Sequence, residues 1–330
     1  MKIAITGGAG FVGSHLATAY LDAGHDVFII DTLVNSSPRA AGALDPRARF
    51  YAVDIRDARL HTIFQNERPD IVSHHAVQYA QQFYGTQALI DADVHIRGLL
   101  NVLEACVSAS VQKLIFASNG TTMYRLMPLS EYEQQGFPLV KEDAPLCPQR
   151  SLDISKVAGE WYVRCYTLQH GLAHTILRYA DIYGSETAQH PVSYFAAMLA
   201  ANQRPVIRGS GLDIRDHIFI DDVAQANLCV LERGKNSTLH IASGQGYSQY
   251  QFFCAVAQQL SSALLPVYLA GASGEPTAVV MDNTLAWQTL GWKPRIGFTE
   301  GIQRMVERLR SEKMQARVEE PVRVEEAVLV

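Results

Sequence analysis

Long apolar runs are missing from this chain: no uninterrupted stretch approaches the ~20 residues that a membrane span needs. Cysteine is sparse and unpatterned. Cys106, Cys147, Cys165, Cys229 and Cys254 are odd in number and form no CxxC pair, so neither a disulfide framework nor a zinc framework is indicated. Charged residues make up only 18% of the chain and the net charge is −5, which leaves no polyelectrolyte signature for nucleic acid. Met1 runs straight into Ile3, Ala4 and Ile5, without the basic, apolar and small-residue segments of a secretory signal. The expected setting is the cytoplasm, where the sequon Asn236-Ser237-Thr238 carries no meaning. Internal repeats and low-complexity blocks are also missing.

What is present suits a large folded core. Hydrophobic residues supply 48% of 330 positions, enough for one full core or two unequal ones. In the first half, short apolar runs alternate with amphipathic stretches, the pattern of βαβ units. Strands are predicted at 2–6, 26–31, 49–53, 71–74, 113–117 and 173–178, with helices at 12–22, 58–65, 88–108 and 153–170. Crossovers of this length demand parallel strands covered on both faces. The fold class is therefore α/β, a doubly wound parallel sheet of Rossmann type. The second half reads as helices at 191–202, 222–232, 248–261 and 299–309 with short strands at 205–207 and 239–241. It suggests a smaller, interleaved α/β cap. The expected division is a nucleotide-binding domain over 1–178, to which parts of 205–245 return, a cap mainly over 179–312, and a charged tail over 313–330.

The strongest motif is Thr6-Gly7-Gly8-Ala9-Gly10-Phe11-Val12-Gly13, which follows a predicted strand and opens a helix. Glycines serve a tight turn, close approach of backbone to a pyrophosphate, and close helix-to-sheet packing. The helix N-terminus offers N–H groups and a positive dipole end to phosphates. Asp31 ends the second strand at about the ~20-residue spacing expected of a ribose-binding carboxylate. It favours NAD over NADP, because it repels a 2′-phosphate. Asp54 and Ile55 end the third strand, where an Asp can meet the adenine amino group, and His74, His75 and Ala76 end the fourth. The paired histidines have no third ligand at metal spacing, and no HExxH occurs. No metal site is expected; His74 reads as core beside the cofactor and His75 as facing the cleft.

In these motifs the chain resembles the extended short-chain dehydrogenase/reductases, specifically the NAD-dependent epimerase/dehydratase group. The resemblance runs from Met1 to about Leu309. It is carried by Gly7, Gly10 and Gly13; by Asp31; by Phe116 to Tyr124, similar to that family's active-site turn; by Glu142-Asp143-Ala144-Pro145; and by Leu177 to Gly184, with Asp181 where an Asn is usual. Gly209-Ser210-Gly211, Ile214 to Ala224 and Leu290-Gly291-Trp292-Lys293-Pro294 continue it. It implies a sugar hydroxyl oxidised with bound NAD, the ketone transformed, and the hydride often returned. It also implies a homodimer paired through the helices near 88–108 and 153–170. Cofactor contacts are expected at Gly7, Gly10, Phe11, Val12, Gly13, Asp31, Asp54, Ile55, His74, Ala76, Ser118, Lys156 and Tyr179. Substrate contacts are expected at Gln78, Tyr79, Asp181 and Arg215, the last matching the arginine that grips a nucleotide diphosphate.

The departures are as informative as the matches. The family's catalytic Tyr and Lys stand four residues apart on one helix face, the Lys lowering the Tyr pKa. Lys156 fills the second position, but the first is Leu152, which cannot move a proton. Counting back from Tyr124, the usual Ser or Thr falls on Gly120; if the turn holds one extra residue, Asn119 or Thr121 takes its place. The dehydratases' Asp and Glu are replaced by Thr121 and Thr122, which disfavours simple dehydration or decarboxylation. The second arginine usual before the late Gly-Asp stretch is missing from Gly271 to Pro276, so a nucleotide sugar and a smaller or singly phosphorylated sugar both remain open. The expected function is epimerisation or isomerisation by transient hydride transfer. Lys156 would orient the cofactor, Tyr124 is the first choice for the proton, and Thr121, Tyr79, His75 and Asp153 stand behind it. Tyr124 has the alternative of walling the cofactor pocket, and Asp153 of capping its helix. The competing function is a catalytically inactive protein of the same fold that binds or senses NAD.

Overall fold

The computed structural model describes residues 1–34, 44–78, 87–184, 190–270 and 274–319, with side chains to 309. Strand β1 (Lys2–Thr6) leads through helix α1 (Phe11–Asp22) to β2 (Asp26–Asp31) and β3 (Arg49–Ala52), then through α2 (Arg59–Glu67) to β4 (Ile71–His74). Helices α3 (Gln87–Ala92) and α4 (Gly98–Ser108) are joined by a π-helical turn at Asp93–Arg97, where the sequence pattern reads as one helix over 88–108. Next come β5 (Lys113–Asn119), β6 (Met127–Pro128), α5 (Leu129–Gln134), α6 (Ser151–His170), β7 (Ala173–Tyr179) and β8 (Asp181–Tyr183). The remaining elements are α7 (Pro191–Ala200), β9 (Val206–Arg208), β10 (Ile214–Phe219), α8 (Ile220–Glu232), β11 (Ser237–Ile241), β12 (Gly246–Ser248), α9 (Gln249–Gln259), β13 (Val267–Leu269), β14 (Thr277–Val279), α10 (Thr284–Leu290) and α11 (Phe298–Glu319).

Seven parallel strands form the main sheet in the order β11-β7-β5-β4-β1-β2-β3. The order reverses between β1 and β4, the place where such sheets open a crevice at their carboxyl ends. Every residue of β4 and β7 is buried, as expected for strands covered on both faces. A second sheet runs β12-β10-β14-β6, with β8 paired to β10. It belongs to the same compact unit as the main sheet, comprising Met1–Tyr183, Leu212–Ser248 and Gly274–Ile296. The other unit comprises Gly184–Gly211, Gln249–Ser273 and Gly297–Val330. Within it β9 pairs with β13, Phe195 of α7 meets Phe253 of α9 and Phe252 of α9 meets Phe298 of α11, with ring centroids 5.7 Å and 4.8 Å apart. Helix α11 continues to Glu319, past the end at 309 that its apolar pattern indicates. The added residues are mostly charged or strong helix formers, so propensity extends the helix where amphipathicity stops.

Two contacts bind α6 to the sheet. Gly159 lets the helix close on β5: a Cβ there would stand 2.8 Å from Cζ of Phe116 and 3.1 Å from Cδ2 of Leu99. Glu160, next along the helix, is fully buried and takes both arms of Arg178 from β7, at 2.8 Å from Nε and 2.7 Å from Nη2. Removing one member of a buried pair strands the other charge. Glu160→Ala is therefore expected to cost about 3–5 kcal/mol, read as a lowered urea midpoint at an unchanged slope.

Candidate active site

The carboxyl ends of β1, β4 and β5 converge with the first turns of α1 and α6. At the β1–α1 turn, Gly7 has φ of +71° and lies against the next strand end, since a Cβ there would stand 2.6 Å from the Ala76 nitrogen. A Cβ at Gly13 would come within 2.2 Å of the Gly7 oxygen, whereas one at Gly10 meets only that oxygen, at 3.3 Å. The turn is thus tight on its packed side and open on the other. Helix α1 begins at Gly10 with no side-chain cap and no acidic residue in its first turn, so its leading N–H groups suit an anion. Asp31 closes the rim: Oδ2 accepts from the Ala9 nitrogen at 3.0 Å and Oδ1 from the Leu33 nitrogen at 2.8 Å. These residues fit a dinucleotide, with pyrophosphate at the glycines and ribose at the carboxylate.

The other expected cofactor residues surround this turn in different states. Asp54 is held below the ordinary carboxylate range by hydrogen bonds from Arg56. Ile55 is buried under Gly98 of α4, where a Cβ would stand 2.6 Å from Ile55 Cδ1. His74 is core, bonded to Thr6 Oγ1 at 2.7 Å and stacked on Phe116. His75 is also buried; its Nε2 shares a 2.9 Å hydrogen bond with Ser73 Oγ, and burial lowers its pKa to about 3. Ser118 donates to Glu160 at 2.7 Å, and the buried Tyr179 hydroxyl pairs with Asn227. Gln78 donates its backbone N–H to His95 at 2.9 Å, while Tyr79 lies outside the described residues.

Lys156 stands on α6 with its Nζ donating to the Ala117 carbonyl at 2.7 Å and lying over the Phe116 ring. Burial lowers its pKa to about 8, opposed by Glu160. Leu152, one turn earlier, is half-buried. Position 120 has no room for a hydroxyl residue as it stands, because a Cβ there would lie 2.3 Å from Met281 sulfur and 2.7 Å from the Tyr179 oxygen. The strand register instead carries β5 on to Asn119.

Tyr124 is placed in a buried network rather than beside Lys156's bond to Ala117. Its hydroxyl takes Arg178 Nη1 at 2.6 Å and shares a 2.6 Å bond with His240 Nε2, and burial raises its pKa to about 12. Thr121 is fully buried and donates to Asp181 at 2.8 Å. Asp153 does not cap α6, since no side chain caps that helix; its carboxylate receives Asn119, Thr122 and Arg150. Thr122 and Arg150 are the functional candidates that sequence reasoning passed over. The available signal was the pair of polar residues flanking Leu152 three apart, which a helix start explains equally well. Arg215 gives its hydrogen bonds to the Ile214 and Thr277 carbonyls and to Thr277 Oγ1, each at 2.8 Å, with Asp213 at 3.6 Å. Burial lowers its pKa, as for a cation still short of a close counter-charge.

The NAD dependent epimerase/dehydratase family model matches residues 3–242, more than half of the chain. The chain belongs to this family. NAD is its cofactor. The UDP-glucose 4-epimerase of Mycolicibacterium smegmatis is 30% identical over 320 residues, which is 94% of this chain and 99% of that one. The UDP-glucose 4-epimerase of Thermotoga maritima, solved with UDP-glucose, superposes with a TM-score of 0.85 at 30% identity, over 95% of this chain and all of that one. That of Thermus thermophilus, solved with NAD, gives 0.84 at 28% identity, over 94% and 99%. Among the described residues no helix is long and apolar enough to cross a membrane, and no group of three His, Cys, Asp or Glu could hold a metal ion.

Lys156 exacts a stability cost with a definite pH signature. Its folded pKa lies below the ordinary 10.5, so the penalty is complete below about pH 8, where the ammonium persists in both states, and fades as pH rises to about 10.5. Lys156→Met is expected to stabilise the NAD-free protein near neutral pH by about 1–2 kcal/mol, the relief of burial less the lost bond to Ala117. The gain should shrink in thermal melts recorded at successively higher pH, and NAD affinity should fall.

Proposed function

We propose that this chain is a nucleotide-sugar epimerase acting on a UDP-linked hexose or hexose derivative at C4. The observation that carries the proposal is Arg215, a largely desolvated guanidinium whose three hydrogen bonds all go to uncharged oxygens and whose Asp213 carboxylate stands off at 3.6 Å, in the same compact unit as a complete NAD turn. A diphosphate would supply closer negative charge than Asp213 does, and guanidinium geometry suits phosphate oxygens. The named relatives act on UDP-glucose, which gives the uridine and hexose parts of the proposal.

NAD, when bound, supplies a hydride acceptor for a sugar carbinol and a hydride donor for the resulting ketone. The glycine turn and α1 would hold its pyrophosphate, Asp31 its adenosine ribose, and Lys156 its nicotinamide ribose. Leu152 leaves the helix position of the usual phenol without a proton carrier, so the acid/base group is a different one. Asp181, tied to Thr121, would face the substrate in place of an amide.

The inactive, NAD-binding alternative draws on two observations, Leu152 and the Met281 side chain against Gly120. Incubation of the NAD-loaded protein with UDP-glucose or UDP-galactose, followed by NMR of the sugar, separates the two. Isomer exchange is expected; tight NAD binding with no exchange and no NADH absorbance from any UDP-hexose or UDP-hexuronate would establish the alternative.

A homodimer is part of the proposal. Ile154, Trp161 and Leu168 recur every seven residues on α6 and are 52%, 64% and 87% exposed, with Leu89 of α3 at 75%. Such a stripe is what a paired helix face presents. Trp161→Glu is expected to convert a dimer to a monomer in light scattering while leaving the far-UV spectrum unaltered.

A further inference from the structure

We infer that Thr122, polarised by Asp153, is the proton-carrying residue that replaces the missing phenol; the inference rests on the epimerase function proposed above. Three ties join the end of β5 to the start of α6. Lys156 reaches the Ala117 carbonyl, Asn119 reaches Asp153 at 2.9 Å, and Thr122 donates its hydroxyl proton to Asp153 Oδ1 at 2.7 Å. Leu152 stands on the same helix, one residue before Asp153 and four before Lys156. The carboxylate partner of Thr122 thus comes from the residue next to the helix position that the phenol would occupy.

The surroundings of Thr122 Oγ1 are those of a hydroxyl prepared to lose its proton. Asn119 Nδ2 and Arg150 Nη2 both donate to it at 2.7 Å, stabilising negative charge on oxygen. Asp153 Oδ1 stands on its proton. The Asp153 side chain is only 1% exposed, and Arg150 Nε fixes its other oxygen at 2.8 Å, so the acceptor is held in place and shielded from bulk water. Thr122 itself is only partly buried. The alternatives are less suited. His75, Tyr124 and Thr121 are buried, whereas Thr122 is partly exposed.

The step balances. Oxidation of the carbinol breaks its C–H and O–H bonds and makes a C=O bond. The C–H electron pair leaves as hydride to the nicotinamide, which is reduced. The O–H proton goes to Thr122 Oγ1, on the lone pair that Arg150 Nη2 gives up as the substrate enters, and the Thr122 proton moves to Asp153 Oδ1. Return of hydride to the other face of the ketone reverses both transfers and restores NAD, Thr122 and Asp153. Asn119 and Arg150 are positioning residues; Thr122 alone meets the substrate hydroxyl.

The test uses the full chain loaded with NAD and mixed rapidly with UDP-glucose, with transient NADH followed by absorbance and NAD affinity measured separately by calorimetry. Thr122→Val is nearly isosteric and removes only the hydroxyl. It is expected to slow NADH formation about 100-fold or more, the scale of a lost general base, with NAD affinity and melting temperature little changed, while Thr122→Ser recovers the rate to within about tenfold. Asp153→Asn should slow the same step without weakening NAD binding. If the unmodified protein forms NADH and Thr122→Val forms it within about threefold of that rate, the assignment of Thr122 is overturned and the epimerase function stands. If the unmodified protein binds NAD yet forms no NADH with UDP-glucose, UDP-galactose or UDP-glucuronate, the epimerase function fails and the assignment fails with it.

Discussion

Arg178 and Glu160 hold this site together from beneath. The pair is bidentate and almost wholly excluded from water, with relative exposures of 3% and 0%. Desolvation offsets the attraction within such a buried pair. Its geometric consequence is plain. Glu160 fixes α6, which carries Leu152, Asp153 and Lys156, and it accepts Ser118 from the end of β5. Arg178 fixes the turn beyond β5 through the Tyr124 hydroxyl and the Glu142 carbonyl. One ion pair thus locks strand, helix and turn into a common frame.

Seen from that frame, Tyr124 and Lys156 exchange the roles that their side chains suggest. The phenol is the group with evident proton chemistry, yet it is spent as a structural linker between Arg178 and His240. Lys156 is the group with evident structural reach, yet its desolvated ammonium over Phe116 works against folding. Burial depresses the lysine and raises the tyrosine by the same physics, the penalty on a charged form in a medium of low polarity. What differs is the partner. Tyr124 has a guanidinium bonded to its oxygen, whereas Lys156 bonds only a carbonyl and lies over a ring face, with Glu160 acting on it without a bond.

How much of this was legible in the chain depended on the range of the interactions. The β1–α1 turn and Asp31 are encoded within a few tens of residues, so spacing alone located them, and the doubly wound sheet followed from the alternation of strands and helices. The fate of Tyr124 was not legible, because its partners Arg178 and His240 lie 54 and 116 residues away. Asp153 looked like a helix cap because an acidic residue in a first turn is locally sufficient; only the folded chain shows Asn119 from the end of β5 and Thr122 from the turn after it brought to Asp153. The end of α11 was misplaced for the opposite reason, since apolar periodicity reports packing and says nothing of a helix that continues by propensity.

The leucine at 152 then has a physical meaning apart from what it removes. An apolar side chain at that position cannot compete for hydrogen bonds with the polar groups beside it, so the Asn119–Thr122–Asp153–Arg150 cluster closes on itself without a phenol as a fifth member. A chain under pressure only to fold would do better with an apolar residue at 156 as well, where burial of an ammonium is the costlier feature. On the function proposed here, the combination of leucine at 152 and lysine at 156 would keep the group that orients the cofactor and dispense with one that a hydroxyl–carboxylate pair would replace. Local rules broken at one point without relief are the mark of a site in use, and in this protein the uncompensated point is Lys156.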